Sequence, residues 1–268
     1  MIRVTILGCG SSGGVPRIGG NWGACDPANP RNRRRRCAIL IERIGGDGGR
    51  TQVLVDTGPD LVAQMLDAGV SRLDAVIWTH PHADHVHGID DLRQLAYNAR
   101  ARVQGYADAG TQAALLARFA YIFETPPGSN YPPICDLHRL EGPVTIPGAG
   151  GDIRITPFTV RHGEIPALGL KIDAAGGGIV YLPDVADIPE AAWATIGRPA
   201  IFICDALRHA PHPSHAHLAQ TLEWLARSGA GRGVLTNMHI DLDHDATDAE
   251  TPAHVTPAHD GMVLETPA

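Results

Sequence analysis

Residues 79–88 read Thr-His-Pro-His-Ala-Asp-His-Val-His-Gly, which places four histidines and one aspartate within eight residues. The stretch follows an apolar run, Ala75 to Trp78, that is typical of a buried strand. Imidazole and carboxylate groups are ligands that zinc, iron and manganese share. The stretch therefore predicts a metal site on a loop that leaves a strand.

The spacing within this loop indicates more than one ion. His80 and His82 fall on the same side of an extended backbone, since alternate side chains share a side. Asp84 and His85 lie where the chain turns toward a helix, so they point elsewhere. We therefore expect two ions. A solvated, histidine-rich surface loop is the alternative, and the density of candidate ligands argues against it.

Composition places the chain among globular proteins. It has 268 residues, of which 44% are apolar and 19% charged, and it is long enough to bury a substantial core. We predict one domain over residues 1–268. The net charge of −7 argues against a broad nucleic-acid surface, which needs excess Lys and Arg.

The sequence carries no sign of export or membrane insertion. Residues 1–8 run straight into a strand pattern without the charged and apolar regions of a signal peptide. No apolar stretch approaches the length needed to span a bilayer. Five scattered cysteines, an odd number, argue against a disulfide framework. We predict a cytoplasmic protein.

Short aliphatic runs alternate with amphipathic segments, which predicts an α/β fold. Residues 38–41 and 53–56 flank the glycine-rich segment 45–49 and predict a hairpin, which disfavours a purely parallel sheet. Two mixed sheets packed face to face with helices outside fit better. The tail after Asp241 is rich in Pro, His and Asp, and no helix or strand is predicted in it. The predicted strands are 4–7, 38–41, 53–56, 75–78, 153–160, 168–172, 179–182, 201–204 and 234–235, and the predicted helices are 60–68, 89–98, 109–120 and 217–227.

Further ligands must come from distant segments, and the ends of later strands are the natural place. His162, Asp184 and His239 each end an apolar run at a break. Strand ends carry functional side chains on loops held by a rigid scaffold. Each alone is more often a polar cap, but together with the loop they complete a site.

These features, with Val-Asp-Thr-Gly at 55–58, resemble the metallo-β-lactamase superfamily, which implies a four-layer αββα sandwich. Within it, four segments resemble the phosphoribosyl cyclic-phosphate phosphodiesterase branch, which is similar to tRNA 3′-processing endonucleases. They are Leu-Gly-Cys-Gly-Ser-Ser-Gly-Gly-Val-Pro at 7–16, Ala-Cys-Asp-Pro-Ala-Asn-Pro at 24–30, His-Gly at 162–163 and Leu-Pro-Asp at 182–184.

The resemblance implies a ligand set for two divalent ions, zinc or manganese. One ion is held by three histidines, the other by Asp84, His85 and a late histidine, and Asp184 bridges both. The three histidines are His80, His82 and His162. Asp84 is also implied as a catalytic residue.

The chain departs from this branch at two places. Relatives often read Leu-Thr-His after the last strand, whereas Asn237 follows Thr236 here. We expect His239 to be the late ligand, because imidazole binds a transition ion better than an amide; Asn237 stays open. The branch can also carry a structural zinc on cysteines near Cys25. Because too few partner ligands surround Cys25 and Cys37, we predict that this site is lost.

Several polar residues near the motifs are given supporting roles. Asp56 is expected to orient a ligating histidine. For His87, Asp90 and Asp91, helix capping and support of the ligands are favoured over direct ligation. The run 33–36 is either a solvated face or an attraction for an anionic substrate.

The stretch 206–218 holds a second group of histidines. His215 resembles the histidine that relatives place against the leaving group, and a general acid aids departure of an alkoxide. The alternative is a surface loop.

The sequence thus predicts a dinuclear phosphodiesterase acting on a small cyclic phosphate or nucleotide. Alternatives are an RNA-processing nuclease, a thioesterase or iron dioxygenase of the same superfamily, or a non-catalytic metal-binding protein. Nucleic acid and membrane partners are disfavoured, and a homodimer is left open.

Overall fold

Residues 1–267 are described by a computed structural model in which two seven-stranded mixed sheets pack face to face. The first sheet has the order β14-β1-β2-β3-β4-β5-β6. Its strands are β1 (Ile2–Gly8), β2 (Ala38–Ile44), β3 (Arg50–Val55), β4 (Ala75–Ile77), β5 (Val103–Ala107), β6 (Cys135–Arg139) and β14 (Val263–Thr266).

The second sheet has the order β13-β12-β11-β10-β9-β8-β7. Its strands are β7 (Val144–Ile146), β8 (Ile153–His162), β9 (Ile165–Ile172), β10 (Ile179–Leu182), β11 (Ile201–Asp205), β12 (Arg232–Thr236) and β13 (Val255–Pro257). The α-helices are α1 (Leu61–Asp67), α2 (Ala83–Val86), α3 (Leu92–Ala99), α4 (Ala109–Phe123), α5 (Glu190–Ile196), α6 (Leu218–Ser228) and α7 (His244–Glu250).

Alternation along the strands produces the layers. In β4, Ala75 and Ile77 face the core between the sheets, whereas Val76 faces the helices that cover the outer surface. Leu61 of α1 and Leu92 of α3 belong to this outer core. The predicted four-layer αββα sandwich is confirmed. None of the helices in residues 1–267 is long and apolar enough to cross a bilayer.

The hairpin is also confirmed: β2 and β3 are antiparallel from Ile39↔Val55 to Ile44↔Arg50. All nine predicted strands and four predicted helices lie on observed elements, although residues 89–91 form a 3-10 turn before α3. The sequence pattern did not predict β5, β6, β7, β13, β14, α2, α5 and α7. The tail after Asp241, in which the sequence predicts no helix or strand, forms α7, β13 and β14.

Strand direction brings the polar strand ends together. β3 and β4 are parallel, and so are β10, β11 and β12. β8 is antiparallel to β9, which is antiparallel to β10, so β8 and β10 run the same way. The carboxyl ends of these strands therefore lie at one edge of each sheet, where loops can carry a site.

Candidate metal centre

Four residues from three separate segments form a compact group at this edge. One ligand atom from each lies within 4.8 Å of the others, and the residues are His80, His82, His162 and Asp184. Nδ1 of His82 lies 3.1 Å from Nε2 of His80 and 3.0 Å from Nε2 of His162. Nδ1 of His82 can donate to only one of these two nitrogens, whereas a shared cation would satisfy all three.

Each buried ring is oriented by the nitrogen that faces away from the group. The Thr79 hydroxyl donates to Asp56 at 2.8 Å, so it can only accept from His80 Nδ1 at 3.0 Å. His162 Nδ1 donates to the Ser214 carbonyl at 2.6 Å. Both Nε2 atoms are thus left with lone pairs toward the group, the arrangement of metal-binding histidines.

His85 belongs to a second set of atoms on the other side of Asp184. Its Nδ1 donates to Oδ2 of Asp56 at 2.7 Å, as expected for a carboxylate that orients a ligand. Its Nε2 is buried and makes no hydrogen bond, with Oδ1 of Asp184 3.2 Å and Oδ2 of Asp84 3.5 Å away. A buried ring nitrogen that lacks a hydrogen-bond partner and lies between two carboxylates fits a cation site.

Asp184 separates the two sets. Its Oδ2 lies 3.4 Å from Nε2 of His162 and 3.7 Å from Nε2 of His80, whereas its Oδ1 faces His85. One carboxylate oxygen on each side is the geometry expected of a bridging ligand.

The pKa shifts of these residues agree with a site that binds a cation. Burial lowers the pKa of His80, His82 and His162, so these rings are neutral near pH 7. Burial alone would raise the pKa of Asp184, but His85 and His80 hold it well below its usual range.

A pair of buried carboxylates supports the neighbouring His215. Nδ1 of His215 donates to Oδ2 of Asp205 at 2.9 Å, and it lies 3.8 Å from Oδ2 of Asp184. Burial would lower the pKa of His215, but Asp205 and then Asp184 raise it to about 9. The His215 ring is centred 4.6 Å from that of His162, so it lies at the edge of the group.

Asn237, not His239, contacts Asp184. The Asn237 amide donates to Oδ1 of Asp184 at 3.4 Å and to Oδ1 of Asp205 at 3.2 Å. Its φ of +59°, like the +66° of Asp56, is a left-handed conformation that Asn and Asp tolerate better than most residues. Strained residues of this kind cluster at functional sites.

His239 has different partners. Arg17 donates through Nη2 to Nε2 of His239, and Oδ2 of Asp241 lies 2.8 Å from Nδ1. A guanidinium has no lone pair to offer, so the lone pair of His239 Nε2 is already taken by Arg17. These contacts speak against the expectation that His239 completes the second metal site.

Of the four residues expected to support the ligands, one does so and three do not. Asp56 reaches His85, but His87 packs its exposed ring against Phe119 and Asp90 pairs with Arg93. Asp91 begins α3 without a side-chain capping bond. These last three residues make no contact with the metal-binding group in the part of the chain described.

The arginine run does not form a shared anion site. Arg35 pairs with Asp67, Arg36 with Asp60, and Arg33 lies over the Trp22 ring. Arg34 is buried and donates to Leu242 O at 2.7 Å and His239 O at 3.2 Å, tying two loops together.

The cysteines expected to lack zinc are buried. Cys25 Sγ lies 3.4 Å from Leu242 O and 3.8 Å from Arg34 Nη1. Cys37 Sγ lies 3.5 Å from the Thr236 hydroxyl. The positively charged guanidinium of Arg34 thus occupies one side of the Cys25 thiol.

Two glycines of the motifs are explained by packing between the loops. A Cβ on Gly58 would lie 2.3 Å from Asp84 O, and one on Gly88 would lie 2.1 Å from Gly58 O. Only glycine permits this approach of the 55–58 loop to the histidine loop. The contact places Asp56 beside His85.

Asp205 is the residue that sequence analysis missed. It ends β11 as Asp184 follows β10, and the same strand-end rule would have identified it. For Asn237, the sequence leaves open a role as the alternative to His239, because an amide is a poorer metal ligand than an imidazole.

A histidine and aspartate cluster at one edge of an αββα sandwich defines a class of metal-dependent hydrolases. A family model described as "Beta-lactamase superfamily domain" matches residues 51–240. The chain belongs to the metallo-β-lactamase superfamily of hydrolases.

Comparisons with individual proteins agree with this assignment. A solved structure described as a new diphosphatase from the PhnP family has 33% identity and a TM-score of 0.86, covering 99% of this chain and 98% of that one. Ribonuclease Z of a Mycobacterium species is 25% identical over 261 residues, 88% of this chain and 84% of that protein.

A protein of Porphyromonas gingivalis named octanoyltransferase is 31% identical over 264 residues. The match covers 97% of this chain but 51% of that protein. This chain thus spans about half the length of that relative.

Proposed function

We propose that this protein is a dinuclear metal-dependent phosphodiesterase that hydrolyses a small phosphate ester such as a cyclic phosphate or nucleotide. The observation that carries the proposal is the position of Asp184. Its two oxygens face two separate ligand sets, and one of them also faces His215. The 33% identity to a diphosphatase of the PhnP family supports a phosphorus-centred reaction.

The residues present fit two divalent ions. His80, His82 and His162 would hold one ion, Asp84 and His85 the other, and Asp184 would contact both. When bound, such ions polarise a phosphoryl oxygen and lower the pKa of water to about 7. Zinc and manganese both accept this mixture of imidazole and carboxylate.

Side chains of the protein would orient the metal ligands and supply a proton to the leaving group. In hydrolysis, a water molecule loses one proton as its oxygen forms a new bond to phosphorus, the bond to the leaving oxygen breaks, and that oxygen gains one proton. His215 is the proposed donor of this proton, and Asp205 fixes the ring and stabilises its protonated form. The Asp56 carboxylate keeps His85 in the tautomer that directs Nε2 inward.

A ribonuclease is the second candidate, because a named ribonuclease Z matches over 88% of this chain. The net charge of −7 weighs against a broad RNA-binding surface. We also propose one domain over residues 1–268 and a cytoplasmic site of action. A homodimer is left open.

The test is a panel of substrates with purified protein and added manganese or zinc. It includes bis(p-nitrophenyl) phosphate, cyclic and linear nucleotides, and a structured RNA with a 3′ extension. We expect metal-dependent hydrolysis of small diesters and none by the Asp184→Asn variant. Cleavage of RNA alone would favour the ribonuclease, and activity on none of these would refute the proposal.

A further inference from the structure

One histidine of the metal-binding group lacks a partner that would orient its ring. His80 and His162 are each oriented by a hydrogen bond at the ring nitrogen that faces away from the group. His82 directs Nδ1 toward these two rings, and its Nε2 makes no hydrogen bond within residues 1–267. His82 is also the exposed member of the group. The direction of its ring therefore depends on the backbone that carries it.

Arg118 of α4 holds that backbone. Its Nη1 donates to the carbonyl oxygen of Pro81 at 2.6 Å. This oxygen belongs to the planar peptide group that joins Pro81 to His82, so a fixed oxygen fixes the plane from which the His82 side chain leaves. We propose that Arg118 is a positioning residue that aims His82 at the ion held by the three histidines. This inference rests on the proposed function and adds to it a residue that acts through a metal ligand.

The backbone of residues 80–82 has few other ties. Pro81 has no N–H to donate. The carbonyl oxygen of His82 accepts from within the same loop, from His85 N at 3.0 Å. The bond from Arg118 is thus the one hydrogen bond that joins the backbone of residues 80–82 to another segment within residues 1–267. Without it, the peptide group before His82 is free to reorient.

The part of α4 that carries Arg118 is fixed against the histidine loop. Leu115, three residues earlier, is buried in the outer core. At Phe119 the backbone departs from helical geometry, with φ −134° and ψ 35°. The Phe119 ring packs edge-on against that of His87, with the ring centroids 5.7 Å apart. Two consecutive residues of α4 therefore contact the loop, Arg118 before α2 and Phe119 after it.

The charge of Arg118 and its hydrogen bond have opposite effects on a bound cation. A guanidinium near the site repels the ion, whereas a ligand held in place binds it more tightly. The Arg118 side chain is exposed, so water and salt screen its charge. A charge-assisted bond of 2.6 Å is strong at short range. We therefore expect the hydrogen bond to dominate, and the sign of the effect tests this.

The first test measures the affinity for each ion by competition between the protein and a chelator for zinc. Arg118→Ala should weaken the ion held by the three histidines by about ten-fold or more, the lower end for groups that support a metal ligand. The ion on the His85 side should keep its affinity. Arg118→Lys retains a donor and the positive charge, so it should restore part of the loss.

The matched control is Arg102→Ala. Arg102 is also exposed and donates to Asp136 at 2.9 Å. It precedes β5, whereas the histidine loop follows β4, and these strands are parallel. Arg102 therefore lies at the opposite edge of the sheet, and its loss should leave both metal affinities unchanged.

Three results would overturn the inference while leaving the phosphodiesterase proposal intact. Tighter metal binding in Arg118→Ala would show that the charge of Arg118, and not its hydrogen bond, acts on the ion. Unchanged metal affinity with a raised KM would make Arg118 a contact of the substrate. Equal weakening of both ions, with a lower unfolding temperature of the metal-free protein, would show a general effect on the fold.

A second test needs no metal and separates the two proposals. The amides of His85 and His87 donate to carbonyl groups within the loop, so their hydrogen exchange reports how often the loop opens. In metal-free protein, Arg118→Ala should speed this exchange by about ten-fold, the lower end for a hydrogen bond to a charged group, and Arg102→Ala should not. If the wild type binds no metal, the proposed function fails and this measurement alone decides the role of Arg118. Equal exchange in the wild type and Arg118→Ala would overturn the inference in either case.

Discussion

The two sides of Asp184 are equipped differently. On one side, its Oδ2 faces His80 and His162, with His82 in the same cluster; on the other, its Oδ1 faces one imidazole and the amide of Asn237. Imidazole binds transition ions far better than an amide does. We therefore expect the two proposed ions to bind with unequal affinity, the tighter one on the three-histidine side.

The largest effect should come from the residue common to both sides. Asp184→Asn removes the bridging charge, so we expect loss of both ions and a fall in phosphodiesterase activity on the order of 10³-fold or more, since metal activation of water is lost. Asp84→Ala should instead remove one ion and spare the other. Metal analysis after dialysis measures both variants.

Full diesterase activity in Asp84→Ala would contradict the two-ion proposal. A wild-type content of one ion or less, not raised by added metal, would contradict it as well.

The next effect belongs to His215, which lies beside Asp184 but is held by Asp205. A general acid contributes about 10² to 10⁴ in rate, and more for a basic leaving group. His215→Ala should retain both ions, slow hydrolysis of an alkyl ester by about that factor, and slow a p-nitrophenyl ester much less.

His209→Ala is the matched control, because His209 lies on the same loop with its exposed ring paired to Glu250. Equal losses on the two esters would assign His215 a binding role, and loss of metal would make it a ligand.

A smaller effect is expected from Asp56, which supports His85 directly and His80 through Thr79. Changes of this kind weaken metal affinity by about 10- to 100-fold. Asp56→Asn keeps the left-handed backbone but loses the charge, so it should weaken the ion on the His85 side more than the other. Competition with a chelator measures each affinity.

Asp74→Asn serves as the control for Asp56, since Asp74 accepts a backbone N–H from Gln52 before β4 begins. An equal loss on both sides of Asp184 would show that Asp56 acts on the fold rather than on His85.

The local sequence predicted one side of the site better than the other. The His80 to His85 loop and the strand-end positions of His162 and Asp184 follow from residue type and strand pattern. The αββα layers follow from the alternation of apolar residues. These signals are local, so a single sequence contains them.

The features that the sequence does not indicate depend on long-range packing. The choice between Asn237 and His239 depends on which side chain turns inward after β12, and Arg17, more than 200 residues away, holds His239 outward. The strands β5 and β6 contain polar or glycine residues that pair only because neighbouring strands are present. Chemical preference for imidazole therefore favoured His239 as the ligand, whereas Asn237 is the residue that contacts Asp184.

The last prediction addresses that choice directly and has the smallest expected effect. Asn237→His places an imidazole beside Oδ1 of Asp184, at a left-handed backbone position that His also tolerates. We expect the affinity for the weaker ion to rise by at least about ten-fold, the lower end of what changes around a metal site produce. His239→Ala should leave metal content unchanged, because its lone pair serves Arg17. Chelator competition on both variants measures these affinities. A loss of one ion in His239→Ala, with no gain in Asn237→His, would assign His239 as the ligand. It would also show that the loop of His239 turns inward when metal binds.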